Sequence, residues 1–134
     1  METGIERTAE GSRLLVKKHL PVERDRVWDV ITDTNQWPDW GPSVRAVECD
    51  RQYITAGSTG RVRIPGGLWI PFEITSCREY RWTWRVARIP ATGHSVRAVN
   101  AGSEVAFELP LYAVGYVPVC ARALSRIEQI TTDR

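Results

Sequence analysis

Apolar residues in this chain first recur at every second position and then change period. Over residues 13–20, Leu14, Val16 and Leu20 share one face, which predicts a strand. Lys18 falls on that same face, an ionic group on a side meant for the core. After Pro21, a good first-turn residue, Val27, Val30 and Ile31 recur at spacings of three and four, the one-sided pattern of a helix. Asp33-Thr34-Asn35 ends that helix with side chains able to cap a second, shorter one, which Pro38 and Gly41-Pro42 terminate.

Alternation then returns. It predicts strands over 44–52, 60–65, 68–78, 80–89, 94–99 and 104–109, with turns at 57–60, 66–67 and 90–93 and a loop at 100–103. Leu68, Ile70, Phe72 and Ile74 share a face, as do Tyr80, Trp82, Trp84 and Val86, and His94 alternates with Val96 and Ala98. Pro71 suits an edge or a bulge. From Pro118, the spacing of Cys120, Ala123, Leu124, Ile127 and Ile130 predicts a terminal helix reaching Thr131.

This order is that of an α+β domain: one strand, two short helices, a six-strand meander and a closing helix. The expected architecture is a seven-stranded antiparallel sheet curled around the long C-terminal helix, with a cavity where helix and sheet part. The 134 residues suit a single domain over 1–134, with about the first 12, polar and lacking the apolar core of a signal peptide, loosely ordered.

Composition changes this picture little. The chain is 43% hydrophobic and 25% charged, ordinary globular values, and its net charge of +2 singles out no polyanionic partner. No apolar run approaches the length of a membrane span. Cys49, Cys77 and Cys120 match no metal or redox spacing and read as free thiols in a reducing cytoplasm. Arg61, Arg63, Arg85 and Arg97 form an outer stripe, read as a solvated face paired with Glu73, Glu104 and Glu108 rather than as a nucleic-acid surface.

The candidate chemistry is aromatic. Trp28, Trp37, Phe72, Trp82, Trp84 and Tyr116 are the expected lining of the cavity, with Trp40 as core and Trp69 outside. His94 is the one histidine expected to point inward, able to orient a ligand or act as a general base; His19 reads as surface. Cyclisation or dehydration chemistry would draw on His94, Tyr116, Arg63 and Lys18, but no spacing forces any pair of them together. There is no nucleophile elbow, phosphate loop or metal-ligand pattern, so no cofactor or metal is expected.

Pro21, the Val27-Trp28 pair, Asp33, the Trp37-Pro38-Asp39-Trp40 turn, Gly60 leading a strand, the Arg81-Trp82-Thr83-Trp84 strand, His94 and Gly102 together resemble the SRPBCC superfamily, also called START-like or Bet v 1-like, in its polyketide cyclase/dehydrase branch. The resemblance spans roughly residues 13–132. It implies a helix-grip fold and a cavity for a small hydrophobic or aromatic ligand that is lipid-, quinone- or polyketide-like. The leading expectation is a binder or carrier, as monomer or homodimer. The alternatives are a polyketide cyclase, aromatase or dehydratase using the same cavity, or an interaction module with a filled interior.

Overall fold

The structure, a computed structural model, describes residues 1–133. In chain order its elements are β1 (Glu2–Thr8), β2 (Gly11–Leu20), α1 (Arg24–Thr32), α2 (Trp37–Trp40), β3 (Ala46–Cys49), β4 (Thr59–Arg63), β5 (Trp69–Arg78), β6 (Arg81–Val86), β7 (Ile89–Val99), β8 (Gly102–Leu109), a 3-10 segment (Leu111–Tyr116) and α3 (Val117–Thr132). The strands form one antiparallel sheet in the order β1-β2-β8-β7-β6-β5-β4-β3. The chain therefore makes one long jump, from β2 to β3 through α1 and α2, and otherwise runs as a meander.

The sheet has eight strands where seven were expected. The extra one is β1, in the stretch expected to be loosely ordered. It pairs with β2 from Glu2↔Lys17 to Thr8↔Gly11. Its residues are almost all exposed, so backbone ladder bonds hold it rather than apolar burial. The tip closes through Gly11, at φ 95°, and the Thr8 hydroxyl, which donates to the Gly11 carbonyl at 2.8 Å.

Residues 90–93, read as a turn, are instead part of β7. The reversal lies earlier, at Ala87-Arg88, and a matching one at Glu79-Tyr80 joins β5 to β6. Their φ angles are 52°, 67°, 54° and 62°. These are two-residue hairpin loops in the mirror-image turn geometry that usually selects Asn or Gly. Tyr80, expected on a strand face beside Trp82, thus sits in a turn.

α3 closes the inner side of the sheet. Cys120, Ala123, Leu124 and Ile127 are buried on its inner stripe, against a core that includes Leu14, Val16, Leu20, Val105 and Phe107. Lys18, on this same face, reaches Glu128 of α3 at 3.4 Å. α1 buries Val27, Val30 and Ile31, and Arg26 bonds the Ile130 carbonyl at 3.3 Å. α2 is not capped by Asp33, Thr34 or Asn35: its first flanking residue is Gln36, while Asp33 accepts from the Asn35 amide at 2.9 Å.

Close approach explains Gly102, at φ 139°. A Cβ there would lie 2.1 Å from the Leu20 carbonyl oxygen, where β2 leaves the sheet.

The outer face is charged, and most of it is paired. Arg61 meets Glu48 at 2.8 Å and also covers the Trp69 ring at 4.4 Å; Arg97 meets Glu104 at 2.7 Å and Arg85 meets Glu73 at 3.6 Å. Glu108, expected to face solvent, is only 3% exposed. Arg81 grips it through two bonds of 2.8 and 2.7 Å, Arg13 approaches to 3.8 Å, and Glu10 closes the cluster through Arg81. Gly93 leaves the room for this: its Cβ would fall 2.9 Å from the Glu108 Oε1.

Candidate functional site

The aromatic side chains of four separate elements, α2, β6, β7 and β8, meet where α2 lies between the sheet and α3. Pro38 at the second position and Gly41, whose amide donates to the Trp37 carbonyl at 2.8 Å, confine α2 to one turn. Its two tryptophans are brought to the inner face of the sheet. The Trp37 ring stacks on Trp82 at 5.2 Å and 6°, and Trp82 stacks in turn on its cross-strand partner His94 at 3.8 Å and 20°. Trp84 stands edge-on to Trp37, Trp82 and His94 at 5.4–6.1 Å. Phe107 meets His94 edge-on at 4.9 Å, and Trp40 packs edge-on to both Phe107 and His94 at 5.7 and 6.2 Å. Such pairs each add about 0.5–1.5 kcal/mol beyond their burial.

Beside this column is an inner chamber of about 50 Å³, walled by the Trp37, Trp40, Trp82, Trp84, Thr92 and His94 side, by Ser43-Val44, and by Val119, Cys120 and Ala123 of α3. A water needs roughly 10–15 Å³ on this measure, so the chamber admits a small group and no more. A second, more open cleft of about 340 Å³ adjoins it, lined by Val62, Ile64, Val86, Leu109, Tyr112 and their neighbours. The two share Ser43, Val44, Trp84, Thr92 and Tyr116 as a common wall. At that wall the Ser43 and Tyr116 hydroxyls are 2.5 Å apart, a bridge between the α2–β3 connection and the 3-10 segment.

Three polar side chains of the chamber, Trp84, Thr92 and His94, form one chain. The Trp84 indole N–H donates to the Thr92 hydroxyl at 3.0 Å, and Thr92 lies 2.9 Å from His94 Nε2. The Trp82 carbonyl can only accept, and it faces His94 Nδ1 at 3.4 Å, which assigns the ring proton to Nδ1. Nε2 then accepts from the Thr92 hydroxyl, whose oxygen accepts from Trp84. His94 is 2% exposed. Burial pushes its pKa down to about 3; the Trp82 carbonyl opposes that shift, and the weaker effects of the Arg13 and Arg81 charges add to it. Burial likewise lifts the Cys120 thiol to about 12 and raises Tyr116, whose bond to Ser43 opposes the shift. All three therefore stand in their neutral forms at pH 7.

Of the residues expected at the site, Trp37, Trp82, Trp84, His94 and Tyr116 line the chamber. Phe72 lies one layer behind, against Trp37 and Trp84 at 5.4 and 5.6 Å. Trp28 is elsewhere: its ring meets Tyr80 edge-on at 5.5 Å. Lys18 and Arg63 are not in the chamber wall, so the four groups considered for acid–base chemistry do not converge. Trp40, read as core, is indeed buried yet also walls the chamber. Thr92 stands two residues before His94 on β7 and shares its face; the turn expected at 90–93 takes it off the strand. Ser43, Phe107 and Ala123 carry no chemical signal in the sequence.

A family model described as polyketide cyclase / dehydrase and lipid transport matches residues 13–127. No curated protein matches the chain. Among solved structures, protein MLL2253 from Mesorhizobium loti is similar at a TM-score of 0.73 and 11% identity, covering 91% of this chain and 99% of that one. XoxI from Bacillus cereus is similar at 0.70 and 17%, covering 90% and 96%, and protein NE0264 from Nitrosomonas europaea at 0.67 and 15%, covering 88% and 92%. At these identities the likeness is one of fold.

Proposed function

The chain belongs to the polyketide cyclase / dehydrase and lipid transport family, and from that premise we propose that it binds a small hydrophobic or aromatic molecule between its sheet and α3, without transforming it. The family supplies the hydrophobic ligand-binding fold. The observation that carries the narrower reading is the state of the chamber's ionisable groups. His94, Cys120 and Tyr116 are all held neutral, and His94 Nε2 is already occupied by Thr92. A general base works best with a pKa near the working pH, and a cyclase or dehydratase would need one here. An apolar wall with a self-satisfied polar chain favours holding a molecule over moving its protons.

The inner chamber is too small for a whole lipid, so the ligand places its head there and its body in the outer cleft. No helix among the described residues is long and apolar enough to cross a membrane. The three cysteines, all free, fit a reducing compartment.

Titration with N-phenyl-1-naphthylamine tests the reading. The probe should quench tryptophan emission with saturable, one-to-one stoichiometry. Trp84→Ala opens the wall between chamber and cleft and should change probe affinity at least several-fold. Unsaturable quenching, or probe binding left unchanged by both Trp84→Ala and Trp82→Ala, would count against a cavity at this place.

A further inference from the structure

Nine large hydrophobic residues are exposed among those described, and six of them, Leu68, Ile89, Leu111, Tyr112, Val114 and Tyr116, belong to the segments around the open mouth of the outer cleft. The 3-10 segment is the extreme case: it buries none of its residues, and Tyr112 is 80% exposed. Apolar exposure gathered in one place marks a surface that meets something. Charge is sorted there too. Residues 41–45, 62–69, 84–92 and 109–117, which supply the cleft's lining and rim, hold four arginines and no Asp or Glu, in a chain with 16 acidic residues. Arg85 is tied to Glu73 at 3.6 Å. Arg45, Arg63 and Arg88 are exposed and make no ion pair among the described residues. The backbone holds these groups together at the mouth. The Arg45 amide donates to the Arg63 carbonyl at 2.7 Å, and the Ile64 amide to the Leu68 carbonyl at 2.9 Å, closing the Gly66-Gly67 turn. Arg88 precedes Ile89 at the β6–β7 reversal.

We propose that this mouth is a docking surface for an anionic lipid bilayer. Leu68, Ile89, Leu111, Tyr112 and Val114 enter the headgroup region, while Arg45, Arg63 and Arg88 meet lipid phosphates. Exposed apolar side chains ringed by basic ones, with acidic groups kept out, are what such a surface selects, because burial and charge then pull the same way. Tyrosine suits that depth, with an apolar ring and a wet hydroxyl. Arginine suits the phosphates, which its planar fork can hold through two bonds. A second copy of this chain fits the patch less well. Two-fold pairing would set the three arginines against their own copies, with no acidic residue there to meet them. The inference uses exposed residues only and does not depend on what the cleft holds. Docked in this way, the cleft opens onto lipid.

Co-sedimentation of the full chain with phosphatidylcholine vesicles, with and without phosphatidylglycerol, tests this. The chain should bind the anionic vesicles about ten-fold or more tightly than the neutral ones, and the difference should shrink as salt rises. Each arginine near such a surface is worth roughly five-fold, so Arg63→Gln with Arg88→Gln should lower partition about 10- to 30-fold. Arg78→Gln, at an exposed position on the far end of β5, should lower it less than about two-fold. Tyr112→Ser with Val114→Ser should also lower it several-fold, at low and high salt alike, because apolar insertion is not screened. Equal partition onto the two kinds of vesicle, or an equal loss from Arg78→Gln and from the mouth pair, overturns the proposal. So does binding to neither vesicle. A dimer in solution that Tyr112→Ser with Val114→Ser dissolves overturns it too, and makes the patch an interface between copies. Should a variant fail to fold, ¹H–¹⁵N spectra of the wild-type chain with anionic bicelles carrying a nitroxide lipid decide alone. Residues 111–116 and Ile89 should lose signal before the Glu79-Tyr80 turn at the opposite end, and the reverse order overturns the proposal.

Discussion

Leu124→Ala is expected to destabilise the protein by about 2–5 kcal/mol, the range for truncating a buried leucine whose surroundings relax only in part. Leu124 is fully buried at the centre of the α3 stripe, between Cys120 and Ile127, which are also buried. A helix of this length is marginal alone, so the stripe is what holds it on the sheet. The loss should appear as a shifted urea midpoint with little change in slope. A loss under about 0.5 kcal/mol, the size usual at free surface positions, would mean that α3 presents another side to the sheet.

The second large effect concerns pH. His94 has a folded pKa of about 3, below its usual 6.5, chiefly through burial. Between those values the unfolded chain binds a proton that the folded chain refuses. Stability contributed by the neutral imidazole is therefore fully present above about pH 6.5 and falls as pH drops toward 3. The slope from this one group reaches up to ~1.4 kcal/mol per pH unit. His94→Gln removes the titration and keeps some hydrogen bonding, so its stability should fall less steeply over the same interval. Urea unfolding of both proteins from pH 7.5 to 4.5 isolates the difference, because every other titrating group is common to them. Parallel pH curves would show that His94 takes up its proton in the folded state.

Periodicity made most of the fold legible. α3 runs from Val117 to Thr132, against 118–131 read from Cys120, Ala123, Leu124 and Ile127. The inward set of Trp82, Trp84 and His94 was legible for the same reason, since alternation fixes the face of each side chain. What periodicity could not show were contacts made by backbone or across the sheet. β1 has no apolar face to read, because it is an exposed edge strand held by its ladder with β2. Ala87-Arg88 and Glu79-Tyr80 turn without Gly or Asn, so turn chemistry alone puts the hairpin three residues late, at 90–93, and takes Thr92 off the inner face. Glu108 does face outward as its alternation says, but facing outward is not exposure when Arg81, Arg13 and Glu10 cover the position. Trp28 follows the buried Val27 by one residue, a rotation of roughly 100° on a helix, and this carries its ring away from the chamber to Tyr80.

A native mass spectrum, recorded on the protein as purified without detergent and again after addition of one equivalent of N-phenyl-1-naphthylamine, tests the ligand-binding account most directly. The account predicts a one-to-one complex with a neutral molecule in at least the second spectrum, released when the chain is denatured. The bare chain mass in both would contradict it.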